Sequence, residues 1–353
     1  MGTIIITYAI YLIFGFLGMY VLFTPKVNLY KQNLNLTVSM LPFPYLFLFV
    51  ALGMISGYFI RENNDFIEAL TMTRVLVPLA LSWVIYFTYV FCSPLFYSLV
   101  VMLCIGITVW LQPIGIGTPI PALEVWQVRL IVFILASIFC LSACVINSVP
   151  HTFIIPSIVI LIGLSVMTLI DAAPVYFAFC SAIFIGALAA YLHPNFYEVH
   201  IDFDTPTCAA VAYLICNLLL MNLGEFCFSS CFILTSVFWA ELLVALWRRY
   251  GVVHAGHLFE HTNYYWLASN YSAQTTTISI TKICIILLFL AWFQLFSPNA
   301  YSLPFISMII ALWLNNSIGD SSGSKTLREL NKEFVENIKQ NIEEAKNIIN
   351  KKD

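Results

Sequence analysis

Charge is the scarcest property of this sequence: 9% of its 353 residues are charged, whereas 61% are hydrophobic. A water-soluble domain of this length needs far more polar residues to cover its surface, so a soluble globular fold is excluded. Long alternations of polar and apolar positions are also missing, which argues against a transmembrane β-barrel. There is no internal repeat and no low-complexity segment. No C-x-x-C pair occurs, and the ten cysteines fall almost entirely inside apolar runs. Cys140 and Cys144, like Cys227 and Cys231, have one-turn helical spacing and read as buried thiols rather than disulfides or metal ligands. The amino-terminal run lacks a basic flank and a small-residue cleavage site, so it is expected to be a retained helix and not a signal peptide. The net charge of −3 says little by itself, and no nucleic-acid partner is expected.

What the chain does contain is apolar sequence in lengths that suit a bilayer. An α-helix needs about 20 apolar residues to cross one. Eleven runs approach that length, at roughly 3–23, 41–60, 70–92, 95–112, 127–147, 152–171, 174–192, 205–223, 226–247, 279–296 and 300–317. The separators Ser93-Pro94, Asp171 to Ala173 and Ser297-Pro298 leave room only for tight helical hairpins. The expected fold is an all-α integral membrane protein with about eleven transmembrane helices, in contact with membrane lipid. Pro78, Pro156 and Pro304 fall inside spans, where proline kinks a helix.

Orientation follows from where Lys and Arg sit. With the amino terminus outside, Lys26, Lys31, Arg248, Arg249 and the basic residues of the tail face the cytoplasm. The opposite loops carry Arg61 and Arg129 but also Glu62, Asp65, Glu68, Glu124, Asp171 and Glu225. Residues 1–318 form the membrane domain, and 319–324 (GDSSGS) form a flexible junction. Beyond it, Leu327, Leu330, Phe334, Ile338, Ile342, Ala345 and Ile349 recur every three or four residues. Residues 325–353 are therefore expected to form a cytoplasmic amphipathic helix. It would dock on its own membrane domain, pair as a short coiled coil, or engage a protein partner.

All six histidines lie outside the apolar runs, in three loops expected on one face of the membrane. The first loop holds Asn147 and His151, and Asn147 reads as a helix cap or a ligand-positioning group. The second runs from His193 through Asn195, Glu198, His200 and Asp202 to Asp204. Glu198, Asp202 and Asp204 together could hold a hard cation such as Mg²⁺, which takes oxygen ligands. The competing reading makes Asp204 an N-cap with Pro206 in the first turn of the next helix. The third loop opens with Arg248-Arg249 and continues through His254, His257 and His261. The arginines read as a topogenic anchor or as an anion clamp, since guanidinium binds phosphate in a bidentate manner. His257 and His261 share a face if helical, but there is no H-E-x-x-H, and hydrogen bonding to a phosphate or sugar is the better functional reading.

These loops resemble one family. The chain is similar to the polyprenyl-phosphate N-acetylhexosamine-1-phosphate transferases, notably the undecaprenyl-phosphate GlcNAc-1-phosphate branch. Asn195-Phe196-Tyr197 followed by Asp204-Thr205-Pro206-Thr207 resembles that family's N-F-x-P-A then G-D-x-G-S run. Trp247-Arg248-Arg249, then His254-x-x-His257-Leu258-Phe259, resembles its late R-R and H-x-x-H-L-Y segment, and Asn147 fits the start of its N-x-x-N-F-x-D-G-x-D-G element. The resemblance implies eleven spans, a bacterial inner-membrane location, a cytoplasmic site, Mg²⁺ as cofactor, and a UDP-sugar and undecaprenyl phosphate as substrates. The departures are specific. Tyr89 to Pro94 stand where the paired aspartates belong, Ser148 to Ile155 replace the D-G-x-D-G element, the glycines flanking Asp204 are gone, and no Arg-Gly-Gly turn lies between Val27 and Pro42. Anionic reactants approach each other only when metal and cationic groups neutralise them, and imidazole is a poor Mg²⁺ ligand. The expected function is that of a degenerate homologue without normal Mg²⁺-dependent transfer, binding lipid phosphate or supporting glycan assembly. An active transferase with a remodelled site is the alternative, with Asp202, Asp204 and Glu198 holding metal and His254 and His257 the phosphates. A transporter or lipid flippase is the third, although Arg74 and Glu241 are almost the only charges within spans.

Overall fold

A computed structural model describes residues 2–32, 43–59, 72–91, 93–112, 124–147, 152–169, 175–197, 204–221, 227–251, 273–297 and 302–317, together with Glu336 and Lys339. These segments are helical, and no strand occurs among the described residues. The helices are α1 (Gly2–Gln32), α2 (Phe43–Phe59), α3 (Met72–Phe91), α4 (Pro94–Leu111), α5 (Val125–Ile146), α6 (Ile154–Leu169), α7 (Val175–Tyr197), α8 (Thr205–Met221), α9 (Cys227–Gly251), α10 (Ala273–Phe296) and α11 (Leu303–Ser317). Each overlies one of the apolar runs. Four are long and apolar enough to cross a membrane, through Ile5–Leu22, Val125–Ile146, Ser229–Trp247 and Ile278–Phe296. The remaining helices carry shorter apolar stretches, among them Phe96–Leu111 and Thr205–Met221.

Helix and apolar run do not always end together. α1 continues past residue 23 to Gln32, and α7 takes in His193 and Asn195, which hydropathy alone placed in a loop. α9 carries Arg248 and Arg249 in its last turn, and α10 begins at Ala273 rather than near 279. The physical reason is the same in each case. A helix leaving lipid keeps its backbone hydrogen bonds when its side chains turn polar, so a change of composition marks the membrane boundary and not the helix end. The junction 319–324 and the expected tail helix 325–353 lie outside the described residues, except that Glu336 and Lys339 are helical and exposed.

Packing is organised around α8. All its side chains from Pro206 to Met221 are buried, and it is contacted by α2, α3, α4, α5 and α6. Its alanines at 209, 210 and 212 let those neighbours approach. The most extensive helix pair is α1 on α7. There Gly15 faces the Ile183 carbonyl and Gly186 faces the Leu12 carbonyl and Phe16 amide, so closely that no Cβ fits at either position. The periphery is the inverse of a soluble protein. On α4, Phe96, Leu99, Leu103, Ile107 and Trp110 recur every three or four residues and are all exposed. Such a stripe suits contact with lipid. Exposed tryptophans lie near both ends of the bundle: Trp110 and Trp126 where α4 ends and α5 begins, Trp247 and Trp313 where α9 and α11 end. Arg129 lies 5.2 Å from the centre of the Trp110 ring, and the Trp126 indole donates to Glu124 at 2.6 Å. Aromatic and charged groups paired in this way are typical of a membrane–water boundary.

Candidate functional site

The start of α8 collects unsatisfied polar groups at one end of the bundle. Asp204 occupies the N-cap position, its carbonyl accepting from the Cys208 amide at 2.9 Å, with Pro206 in the first turn. Its carboxyl group is half-buried. Burial pushes its pKa above the ordinary aspartate value, while the Thr207 side chain and the amides of Asp204 and Thr207 work in the opposite direction. Asp204 Oδ1 and Thr207 Oγ1 are nevertheless both buried without a hydrogen-bond partner of good geometry.

Three other helices close this end. From α5, the Ala143 carbonyl accepts a hydrogen bond from the Cys208 thiol at 3.2 Å. One turn later Asn147 forms the C-cap, its amide donating to the Ala143 carbonyl at 3.1 Å. The buried Thr152 hydroxyl donates to the Ile146 carbonyl at 2.6 Å. α3 contributes Tyr86, which lies within electrostatic range of Asp204. α4 contributes Tyr97, whose ring sits edge-on to Tyr89 at 5.0 Å and whose hydroxyl is buried without a partner. Tyr97 and Asp204 share Cys208 as a neighbour. Asp204 Oδ1 and Thr207 Oγ1, which interact with each other without good hydrogen-bond geometry, and Tyr97 Oη, which shares Cys208 as a neighbour, are three buried polar atoms left short of a full bond near the start of α8. Buried polar atoms are normally satisfied, so such atoms mark a place where a proton, water or ligand completes the bonding.

Asn147 and Asp204 come to the same end of the bundle, as their positions at the end of α5 and the start of α8 require. Asn195 and the arginine pair 248 and 249 also lie in helix turns at that end. Glu198, Asp202, His254, His257 and His261 lie outside the described residues, as do His151 and His200. Tyr86 and Tyr97 were invisible to motif reading, because tyrosine within an apolar run looks like ordinary packing.

Of the three candidate Mg²⁺ ligands only Asp204 is among the described residues, since Glu198 and Asp202 lie outside them. No group of three or more His, Cys, Asp or Glu side chains converges among the described residues. Among the described residues, a tyrosine hydroxyl, a threonine and thiols lie within interaction range of Asp204. Mg²⁺ prefers a rigid octahedron of oxygen ligands, including carboxylate.

A second polar feature runs from the middle of α8 to its far end. Thr108 and Gln112 on α4 are spaced i, i+4, and so are Tyr213 and Asn217 on α8. Thr108 and Tyr213 share a hydrogen bond between hydroxyls, and Gln112 Nε2 donates to Asn217 Oδ1 at 3.0 Å. These two rungs fix α4 and α8 in parallel register. Neither rung was anticipated from sequence, where an isolated Thr, Gln or Asn at a span end carries no signature.

Compared with known proteins, the chain matches no protein-family model and no curated protein.

Proposed function

We propose that this protein keeps the scaffold of the polyprenyl-phosphate N-acetylhexosamine-1-phosphate transferases with a reduced site that binds a lipid phosphate rather than transferring a sugar phosphate. In this reading all eleven helices span the bacterial inner membrane, the amino terminus is outside, and the start of α8 faces the cytoplasm. The observation that carries it is the set of three buried atoms left short of a full bond on Asp204, Thr207 and Tyr97. Each belongs to a group that can donate a hydrogen bond to a phosphate oxygen, Asp204 when protonated. The N-terminus of a helix adds favourable partial charge toward an anion. Arg248, Arg249, His254 and His257 would supply the remaining positive charge, with Asn147, Asn195 and His261 as further hydrogen-bonding groups. The carboxyl-terminal helix would engage a partner of glycan assembly.

Purified full-length protein incubated with undecaprenyl phosphate, Mg²⁺ and a panel of UDP-sugars tests the reading. The expected result is retention of the lipid phosphate with no release of nucleoside monophosphate. Retention should weaken in both Thr207→Val and Tyr97→Phe, by about tenfold if each removes one hydrogen bond to a charged group. Release of UMP would establish the active alternative, in which Glu198, Asp202 and Asp204 hold Mg²⁺. Failure to retain lipid phosphate would remove the binding role altogether.

A further inference from the structure

The polar ladder between α4 and α8 ends at a group that the fold leaves unsatisfied. Gln112, the C-cap of α4, is 1% exposed. Its Nε2 donates to Asn217 and lies 3.5 Å from the Arg74 carbonyl, while its Oε1 is buried with no partner. Arg74, in the first turn of α3, is half-buried, and its Nη1 is likewise buried with no partner. Asn217 is fully buried, with Nδ2 directed to Met221 Sδ at 3.5 Å. Thirteen residues of helix separate Asn217 from Asp204, about 20 Å along α8, so this cluster belongs to the opposite end of the bundle.

A guanidinium edge and an amide oxygen, both desolvated and both unpaired, are costly to keep unless something completes them. The missing partner must bring an anion for Arg74 and a donor for Gln112 Oε1. We infer that Arg74, Gln112 and Asn217 form a binding site for a phosphate group carrying a nearby hydroxyl, as in a glycerol phosphate. Two phosphate oxygens accept from the Arg74 fork, the hydroxyl donates to Gln112 Oε1, and Asn217 holds the Gln112 amide in place. The site lies at the end of helices whose outer surface is apolar, where a phospholipid headgroup such as phosphatidylglycerol presents this chemistry. Soluble glycerol phosphate presents it as well. The inference uses none of the residues around Asp204 and stands apart from the function proposed above.

The test uses the full-length protein in two kinds of nanodisc. In phosphatidylcholine discs, soluble sn-glycerol 3-phosphate is titrated. In mixed discs, lipids retained after extraction are compared by native mass spectrometry. Wild type should bind glycerol phosphate or retain phosphatidylglycerol over phosphatidylcholine, and the arm that responds identifies the source. Arg74→Gln should lower that binding by about tenfold or more, the effect of losing a hydrogen bond to a charged group. Absence of preference in wild type in both arms, or equal binding in Arg74→Gln, overturns the inference. Should Arg74→Gln fail to fold, Arg74→Lys carries the test, because it keeps the charge and loses the fork; unchanged binding there also overturns it.

Discussion

At Asp204 two opposing demands meet in one carboxyl group. As an N-cap it gains from accepting backbone amides, yet its position among α3, α4 and α5 removes water from the charged form. Burial dominates and raises the native pKa above the usual value of 3.8. The sign of the pH effect follows. Folding favours the protonated carboxyl, so its contribution to stability is complete below the ordinary aspartate range and is lost as pH rises through the elevated native value. Asp204→Asn cannot titrate. The melting temperature of wild type minus that of the variant should therefore fall from acid to neutral pH, and a difference that stays flat would show that the carboxyl is not desolvated.

The hydroxyl rung gives a second prediction at the same scale. Thr108 Oγ1 also bonds the Cys104 carbonyl at 2.9 Å, whereas among the described residues the Tyr213 hydroxyl bonds only Thr108. Thr108→Val leaves a buried phenol unpaired and should cost about 1–3 kcal/mol. Tyr213→Phe leaves Thr108 satisfied and should cost about 1 kcal/mol or less, as for most polar contacts between membrane helices. Reversible unfolding in mixed micelles would separate the two. Sequence reading reached Asp204, Pro206 and Asn147, because caps leave a local signature. It could not reach Tyr86, Tyr97 or Gln112, whose roles arise only when distant helices meet.

Between helices, glycine decides how near two backbones come. Gly186 on α7 leaves no room for a Cβ against Leu12 and Phe16 of α1, whereas a Cβ on Gly106 would lie 3.5 Å from the Phe133 ring, an ordinary contact. Gly186→Ala should force α1 away from α7 and cost about 1–3 kcal/mol, the usual range for overpacking. Gly106→Ala should be neutral or stabilising by up to about 1 kcal/mol through helix propensity. Equal effects of the two in the same unfolding assay would refute the close seam. Existence and order of the helices were legible from apolar run length alone. Their ends were not, because Lys31, Asn195 and Arg249 are polar residues inside helices. Which glycine touches a neighbour is also a property of pairs, and single-chain periodicity carries no trace of it.

At the scale of the whole molecule, the exposed tryptophans among the described residues lie near the two ends of the bundle. Trp126 lies at the start of α5 and Trp247 near the end of α9, helices that pack against each other and, in the eleven-span reading, run in the same direction. Cysteine placed at 126 or 247, in a background with the native cysteines changed to serine, should react with an impermeant maleimide from opposite sides of sealed vesicles. Labelling of both from one side would refute the eleven-span arrangement. The eight described cysteines offer little background in any case, since seven are buried and Cys144 is half-buried.

The enclosure of α8 has a consequence for biosynthesis. The helices that surround it, α2 to α6, all precede it in the chain. When α8 leaves the ribosome, the helices that will enclose it are already made. It enters as a keystone, and the segments that follow have only to lean on an arch already closed.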